Sequence, residues 1–235
     1  MKSILKTIAQ KFGYDILHLP TDPIQRQKNN LFDQYKINLI FDIGANTGQF
    51  AQRAIKAGFK GKIVSFEPLP DAFHKLQFSA KLNNNWDAEN CAIGDYDGKT
   101  TLNISQNSYS SSILPILGEH ITSAPESVYV DRIEVEIKKI DTIIYKFYNE
   151  NKNLYIKIDT QGFERNVFEG CLKSLDKICG FQMELSLVPL YEGETLMQEM
   201  ITLLRQYGYK LKLMESGHRN YETGELLQVE CYFFK

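Results

Sequence analysis

Short apolar runs alternate along this chain with segments of helical periodicity. The run Leu39–Ile43 is almost entirely apolar and ends at Gly44, which is typical of a strand buried on both faces of a parallel sheet. A helix is predicted next, over residues 46–57, with Gly58 as its stop signal. The same alternation predicts strands at 62–68, 89–95, 153–159 and 180–186, and helices at 70–82, 162–175 and 194–207.

Two segments in the middle of the chain, 100–105 and 131–140, instead alternate apolar and polar residues with period two. This pattern predicts a short extra pair of antiparallel strands with one wet face. The polar segment 106–130 between them is long for a compact domain, so we expect it to be functional or mobile. The last two strands, 209–214 and 226–234, are predicted to form an antiparallel hairpin at the sheet edge.

The succession of strand, helix and strand predicts an α/β fold with a doubly wound, mostly parallel sheet. Ligands of such sheets bind beyond the carboxyl ends of the strands, at the topological switch point. The rule directs attention to the turns that follow Ile43, Phe66, Cys91, Ile158 and Glu184.

The chain has 235 residues, of which 43% are hydrophobic, and this suits one α/β domain. We place that domain at residues 37–235 and a helical segment at residues 1–36. Ile4, Leu5, Ile8 and Phe12 share one helical face, which we expect to pack on the domain or on a second copy in a homo-oligomer.

Charge and cysteine content narrow the possible partners and compartment. The 27 basic and 29 acidic residues give a net charge of −2, which argues against nucleic acid as a partner. The four cysteines form no CxxC pair, so buried thiols in a reducing, cytoplasmic compartment are the expectation. No stretch has the ~20 apolar residues of a membrane span.

The first predicted turn, FDIGANTG, carries the first chemical signal. Gly44 allows a tight turn, and the helix that follows directs free N–H groups at an anionic ligand such as a carboxylate. Asp42 could bind a nearby ammonium group. A dinucleotide site would need a glycine where Asn46 stands, which weakens the alternative of a nicotinamide cofactor.

The second predicted strand ends in Glu67, in the sequence VSFEP. An acid at this strand end suits acceptance of two ribose hydroxyl hydrogen bonds, which any adenosine ligand offers. An exposed carboxylate at a strand end is the simpler interpretation, but the combination with the glycine turn favours an adenosine site.

From about Ile37 onwards the chain resembles the FkbM family of methyltransferases. The likeness rests on FDIGANTGQFA, VSFEP, NCAIGD, IKKIDTI, YIKIDTQGFE, VFEGC and LVPLYEGE, in that order. The resemblance implies a Rossmann-like class I methyltransferase with a seven-stranded sheet. It also implies S-adenosylmethionine as cofactor and methylation of a hydroxyl oxygen on a sugar, glycan or other natural product.

The resemblance also implies roles for particular residues. Asp42, Gly44, Asn46 and Gly48, with Ala45 among them, would hold the methionine end. Glu67, with Pro68 beside it, would hold the ribose, and Asn90, Ala92 and Ile93 would border the adenine. The family often has Glu at position 161, where this chain has Gln161.

The predicted strand 153–159 supplies candidate catalytic residues. Lys157 and Asp159 share one strand face near its carboxyl end, and Glu184 comes near the end of the next strand. Two carboxylates and a lysine could position and deprotonate a hydroxyl nucleophile. The structural alternative for Lys157 and Asp159 is a local ion pair that braces the turn. No compact ligand set demands a metal.

Other polar residues have weaker claims. Tyr109 and residues 110–112 could line an acceptor pocket, and Tyr191 could form part of its rim, although a polar loop explains them equally. His120 and His218 are each more often structural than catalytic. For the whole protein, a nicotinamide-dependent oxidoreductase and a non-catalytic binding module remain the alternatives.

Overall fold

The computed structural model describes residue 11 and residues 23–235, and the chain divides into two units after Gln34. In the first unit, helix α1 spans Pro23–Gln34. The apolar face expected at Ile4, Leu5, Ile8 and Phe12 lies outside the described residues. The packing of residues 1–36 on the domain therefore stays a prediction.

The second unit contains the predicted alternation of strands and helices. Its strands are β1 (Leu39–Ile43), β2 (Lys62–Phe66), β3 (Trp86–Glu89), β4 (Ala92–Ile93), β5 (Gly98–Ser105), β6 (Tyr129–Lys138), β7 (Leu154–Ile158), β8 (Ile178–Ser186), β9 (Lys210–Ser216) and β10 (Gln228–Phe234). Its α-helices are α2 (Gln49–Lys56), α3 (Pro70–Ala80), α4 (Gly118–Ser123), α5 (Ile140–Ile143), α6 (Glu164–Glu169) and α7 (Met197–Gln206). None of the helices in the described ranges is long and apolar enough to cross a bilayer.

The main sheet has seven strands in the order β3-β2-β1-β7-β8-β10-β9. The strands β3, β2, β1, β7 and β8 pair in parallel, and β10 is antiparallel to both β8 and β9. The predicted seven-stranded, mostly parallel sheet with an antiparallel edge hairpin is confirmed. β1 is flanked on both sides, and all five of its residues are buried, as its apolar run predicts.

A smaller sheet of three strands has the order β4-β6-β5. The antiparallel pair β5 and β6 confirms the expectation from their period-two pattern. The prediction of one strand at 89–95 is wrong, because β3 ends at Glu89 and β4 joins β6 in the smaller sheet. The Asn90 side chain donates hydrogen bonds to the carbonyls of Glu67 and Pro68, and this turns the chain out of the main sheet.

Two helices are shorter than their periodicity predicts, each for a local reason. The helix α6 ends before Gly170, where a Cβ atom would lie 1.9 Å from the carbonyl oxygen of Gly94. Ahead of α7, the Glu194 carboxylate accepts hydrogen bonds from the N–H groups of Leu190 and Tyr191 instead of entering the helix.

The strand order sets the position of the site. From β1 the chain proceeds to β2 and β3 on one side, whereas β7 and β8 lie on the other side. The switch point therefore lies beyond Ile43 and Ile158, the last residues of β1 and β7.

Candidate active site

A cavity of about 270 Å³ opens at the carboxyl ends of the central strands, close to the lower limit for small-molecule pockets. Its wall combines apolar side chains with polar and acidic ones. It is lined by Ile43, Gly44, Asn46, Phe66, Glu67, Pro68, Leu69, Cys91, Ala92, Ile93, Leu102, Ser108, Tyr109, Ser111, Ser112, Ile113, Asp159, Thr160, Gln161, Phe163 and Glu184.

The cavity brings together most of the residues that the sequence singles out. The predicted residues on its wall are Gly44, Asn46, Glu67, Pro68, Ala92, Ile93, Asp159 and Glu184. The remaining predicted residues do not line the cavity: Asp42, Ala45, Gly48, Asn90 and Lys157.

The turn after β1 is shaped by its neighbours. Gly44, at φ +69°, has no room for a Cβ atom because the carbonyl oxygen of Asp159 is too close. Gly48, at φ +89°, faces the ring of Trp86, where a Cβ atom would lie 2.7 Å from two ring carbons. Gly48 is therefore needed for packing against the indole ring, and its expected contact with a ligand stays a prediction.

Glu67 is held in position by the backbone on either side of it. One carboxylate oxygen accepts the Asn46 N–H at 2.7 Å and the other accepts the Leu69 N–H at 2.8 Å. The side chain is 4% exposed, and burial raises its pKa to about 7 although both N–H groups oppose the rise. Each oxygen keeps a free lone pair, so a preoriented acceptor of two hydroxyl hydrogen bonds lines the cavity.

Asp42 does not line the cavity, and the contact expected between its carboxylate and a ligand ammonium group stays a prediction. Its buried carboxylate accepts a hydrogen bond from the Ser65 hydroxyl at 3.0 Å and lies 3.4 Å from Lys157 Nζ. Burial raises the pKa of Asp42, although Lys157 acts in the opposite direction. The residue braces the floor of the site because the β1 register points it at β2 and β7.

Lys157 is also buried behind the wall and does not face the cavity. Its Nζ lies 3.3 Å from Asp159 Oδ2 and donates a hydrogen bond to the carbonyl of Gly44 at 3.1 Å. Burial alone would lower the pKa of Lys157, but the carboxylates of Asp159 and Asp42 outweigh it and raise the pKa. Lys157 and Asp159 thus form the local ion pair expected from the sequence as the structural alternative.

Gln161 joins the two carboxylates that face the cavity. Its side-chain nitrogen donates to Asp159 Oδ1 and to Glu184 Oε2, both at 2.8 Å, and its oxygen accepts the Tyr191 hydroxyl at 2.7 Å. Burial, followed by repulsion from Asp159, raises the pKa of Glu184 well above its ordinary value. Gln161, at the position where the family often has Glu, therefore bridges the two carboxylates.

Tyr191 does not form a rim of the mouth, because its side chain is completely buried beneath Gln161. His120 is also buried away from the cavity, where its ring stacks on that of His218 with 5.6 Å between centroids. Burial lowers the pKa of His120 to about 4. Neither residue lines the cavity.

Part of the long polar segment covers the cavity. Ser108 accepts a hydrogen bond from the Asn46 side chain at 3.4 Å, and the Tyr109 hydroxyl accepts one from Gln49 at 3.2 Å. The segment is therefore attached to the turn after β1. Tyr109, Ser111 and Ser112 line the cavity, whereas Ser110 points into a cluster with Ser127.

Several wall residues were not predicted from the sequence. Leu69, Leu102 and Phe163 supply apolar wall, and Thr160 supplies polar wall. Leu102 carries no signal beyond the period-two pattern of its strand. Thr160 lies in the DTQG turn between Asp159 and Gln161, so its position in the sequence could have indicated that it lines the cavity.

The doubly wound seven-stranded sheet, the glycine turn after β1 and the buried acid after β2 define an S-adenosylmethionine-dependent methyltransferase with a Rossmann-like fold. Residues 42–211 match the model of the Methyltransferase FkbM domain. The chain belongs to this family, as its motifs predict.

Two curated relatives and one solved structure illustrate the family. The chain is 25% identical over 175 residues to "2-O-methyltransferase NoeI" of Sinorhizobium fredii, covering 72% of each protein. It is 24% identical over 146 residues to "Methyltransferase 1" of Beauveria bassiana, covering 57% of this chain and 58% of that protein. The fold is similar to that of methyltransferase FkbM from Methylobacillus flagellatus KT, with a TM-score of 0.51 at 12% identity, over 83% of this chain. The match spans 43% of that solved chain, so less than half of its length has a counterpart here.

Proposed function

We propose that the protein transfers a methyl group from S-adenosylmethionine to a hydroxyl oxygen of a sugar, a glycan or another natural product. The observation that carries this proposal is the Asp159–Glu184 acid pair, which faces the cavity at the switch point. An alcohol is a poor nucleophile until its proton is removed, so its methylation needs a base of this kind. The name of the relative NoeI, a 2-O-methyltransferase, supports transfer to oxygen.

The residues of the wall fit the donor. Glu67 offers its carboxylate to the ribose hydroxyls, with its orientation fixed by Asn46 and Leu69. Ala92, Ile93 and other apolar residues of the cavity would enclose the adenine. Gly44 and Asn46 would receive the methionine end, and Asp42, Gly48 and Asn90 would hold this wall in place from behind.

The donor, when bound, supplies an electrophilic methyl group, because its sulfonium sulfur is a good leaving group. The chain must then align the acceptor and take up the proton of its hydroxyl group. Asp159 is placed for this task, because Lys157 and Gln161 each fix one of its carboxylate oxygens. Alignment of the reacting oxygen supplies much of the remaining acceleration. Glu184 is the second carboxylate within the same hydrogen-bonded group.

The polar wall suits an acceptor with several hydroxyl groups. Tyr109, Ser111, Ser112 and Thr160 present hydroxyl-bearing side chains around the acid pair. Hydroxyls both donate and accept hydrogen bonds, so they can match the neutral, mixed polarity of a sugar.

A methyl-transfer assay tests the proposal. The protein is incubated with S-adenosylmethionine carrying an isotope-labelled methyl group and a panel of sugars, glycolipids and hydroxylated metabolites. We expect one labelled methyl on oxygen in at least one acceptor, located by fragmentation in mass spectrometry, and its loss with Asp159→Asn. Label on nitrogen or carbon, or no transfer by protein that binds the donor, would overturn the proposal.

A further inference from the structure

The charges on the cavity wall are all of one sign. Glu67, Asp159 and Glu184 contribute carboxylates, and none of the described residues that line the cavity is a lysine, arginine or histidine. Positive charge on a ligand in this cavity would be attracted by these carboxylates.

The nearest cation does not neutralise this excess. Lys157 lies behind the wall, shared between Asp42 at 3.4 Å and Asp159 at 3.3 Å. One positive charge therefore serves two carboxylates, and Glu184 receives only the neutral amide of Gln161. Glu164, which is also buried nearby, is a further carboxyl group, and it accepts hydrogen bonds from the N–H groups of Thr160 and Gly162.

Burial, and then the neighbouring charge of Asp159, raises the pKa of Glu184. A cation beside the acid pair would favour the ionised form of both members. A cationic group of a ligand could therefore bind beside the acid pair, where the described side chains of the wall provide no positive charge.

The donor carries its positive charge on the sulfonium sulfur, which joins the adenosine part to the amino-acid part. Its ribose belongs at Glu67 after β2, and its amino-acid end belongs at the turn after β1. The turn after β1 touches the turn after β7, where Gly44 abuts the Asp159 backbone. A donor held in this way would have its sulfonium at the same end of the cavity as the acid pair.

We propose that the Asp159–Glu184 acid pair selects the positively charged methyl donor over the neutral product, S-adenosylhomocysteine. Transfer of the methyl group removes the charge from sulfur, so the product loses this attraction and leaves. Glu184 is thereby assigned a role in donor specificity and product release. The inference depends on the donor site and not on the identity of the acceptor.

Calorimetry without acceptor tests this assignment. Two probes are compared: S-adenosylhomocysteine, neutral at sulfur, and sinefungin, which carries a protonated amine in place of the methylated sulfur. We expect wild-type protein to prefer sinefungin by about ten-fold or more, as an interaction of at least ~1.4 kcal/mol requires. Glu184→Gln should reduce this ratio by about three-fold or more while the affinity for S-adenosylhomocysteine stays within about two-fold.

The control is Glu222→Gln, the same change at an exposed carboxylate outside the cavity, which should leave the ratio at its wild-type value. Asp159→Asn is the second variant in case Glu184→Gln does not fold, and circular dichroism checks both. Equal affinity of the wild-type protein for the two probes would overturn the assignment. So would a ratio that neither substitution in the acid pair alters.

Discussion

Gly44 and Asp159 meet at the point where the turn after β1 touches the turn after β7. A Cβ atom on Gly44 would lie 1.9 Å from the backbone carbonyl oxygen of Asp159. The Asp159 N–H also donates to the carbonyl of Ile43 at 3.1 Å, so β1 and β7 remain paired up to this contact. Glycine is therefore required at position 44 by the backbone that follows β7. The contact and the hydrogen bond together fix the turn after β1 relative to the turn after β7.

Gly44→Ala should destabilise the protein severely. The substitution introduces both a backbone clash and a side chain at φ +69°, and together these cost about 3–5 kcal/mol. Gly58→Ala is the matched control, because Gly58 also has a positive φ but has open space around it, and strain alone costs about 1 kcal/mol. Urea denaturation measures both losses. Similar losses for the two variants would contradict the close contact.

Asp159→Asn should separate catalysis from donor binding. The asparagine oxygen can still accept the hydrogen bond from Gln161, but the side chain can no longer take up a proton, so turnover should fall about 10²–10⁴-fold. Affinity for S-adenosylhomocysteine, measured by calorimetry, should change by less than about three-fold. Asp176→Asn, at an exposed acid paired with Lys177, is the control. Unchanged turnover would remove Asp159 from the mechanism.

Binding of S-adenosylhomocysteine should strengthen as the pH rises through 7. The pKa of Glu67 is about 7 in the folded protein, and ribose hydroxyls bind the ionised carboxylate in preference to the acid. Between pH 6 and pH 8 the dissociation constant should fall by about ten-fold, following the ionised fraction. Glu67→Gln should bind more weakly and lose this dependence, whereas a variant that retained the slope would exclude Glu67 as its source.

The same raised pKa has an opposite effect on the stability of the ligand-free protein. The pKa of Glu67 rises from 4.5 to about 7 on folding, so the native state holds a proton that the unfolded state releases. The contribution of Glu67 to stability is therefore greatest below pH 4.5 and declines as the pH rises towards 7. Urea titrations across this range should show Glu67→Gln losing less stability with rising pH than the wild-type protein.

Gln161→Glu should destabilise the protein increasingly as the pH rises. The substitution places a third carboxyl where an amide now donates to Asp159 and Glu184, so it must hold a proton in the folded state. Its pKa is then raised on folding, and the loss relative to wild type should grow to about 1–3 kcal/mol between pH 5 and pH 8.

Gln206→Glu, at an exposed position on α7, is the control for the added charge. Unfolding by urea at several pH values gives the comparison. A loss of stability that does not vary with pH would contradict the hydrogen bonds of Gln161 with Asp159 and Glu184.

Much of the fold could be predicted because its signals are local. The apolar run Leu39–Ile43 predicts a buried strand wherever it lies in a sheet, and the period-two pattern of β5 and β6 predicts their wet face. The boundary of β3 could not be predicted, because it depends on the Asn90 side chain reaching the carbonyls of Glu67 and Pro68.

The sequence by itself determined the sheet, the turn after β1 and the acid after β2, since each follows from residues that are close together in the chain. Only the tertiary structure decided which polar residues face the cavity: Asp42 and Lys157 form an ion pair behind the wall, and Gln161 bridges Asp159 and Glu184. Those pairings depend on the register of β1, β7 and β8. The register is fixed by contacts between residues far apart in the chain, which no local pattern encodes.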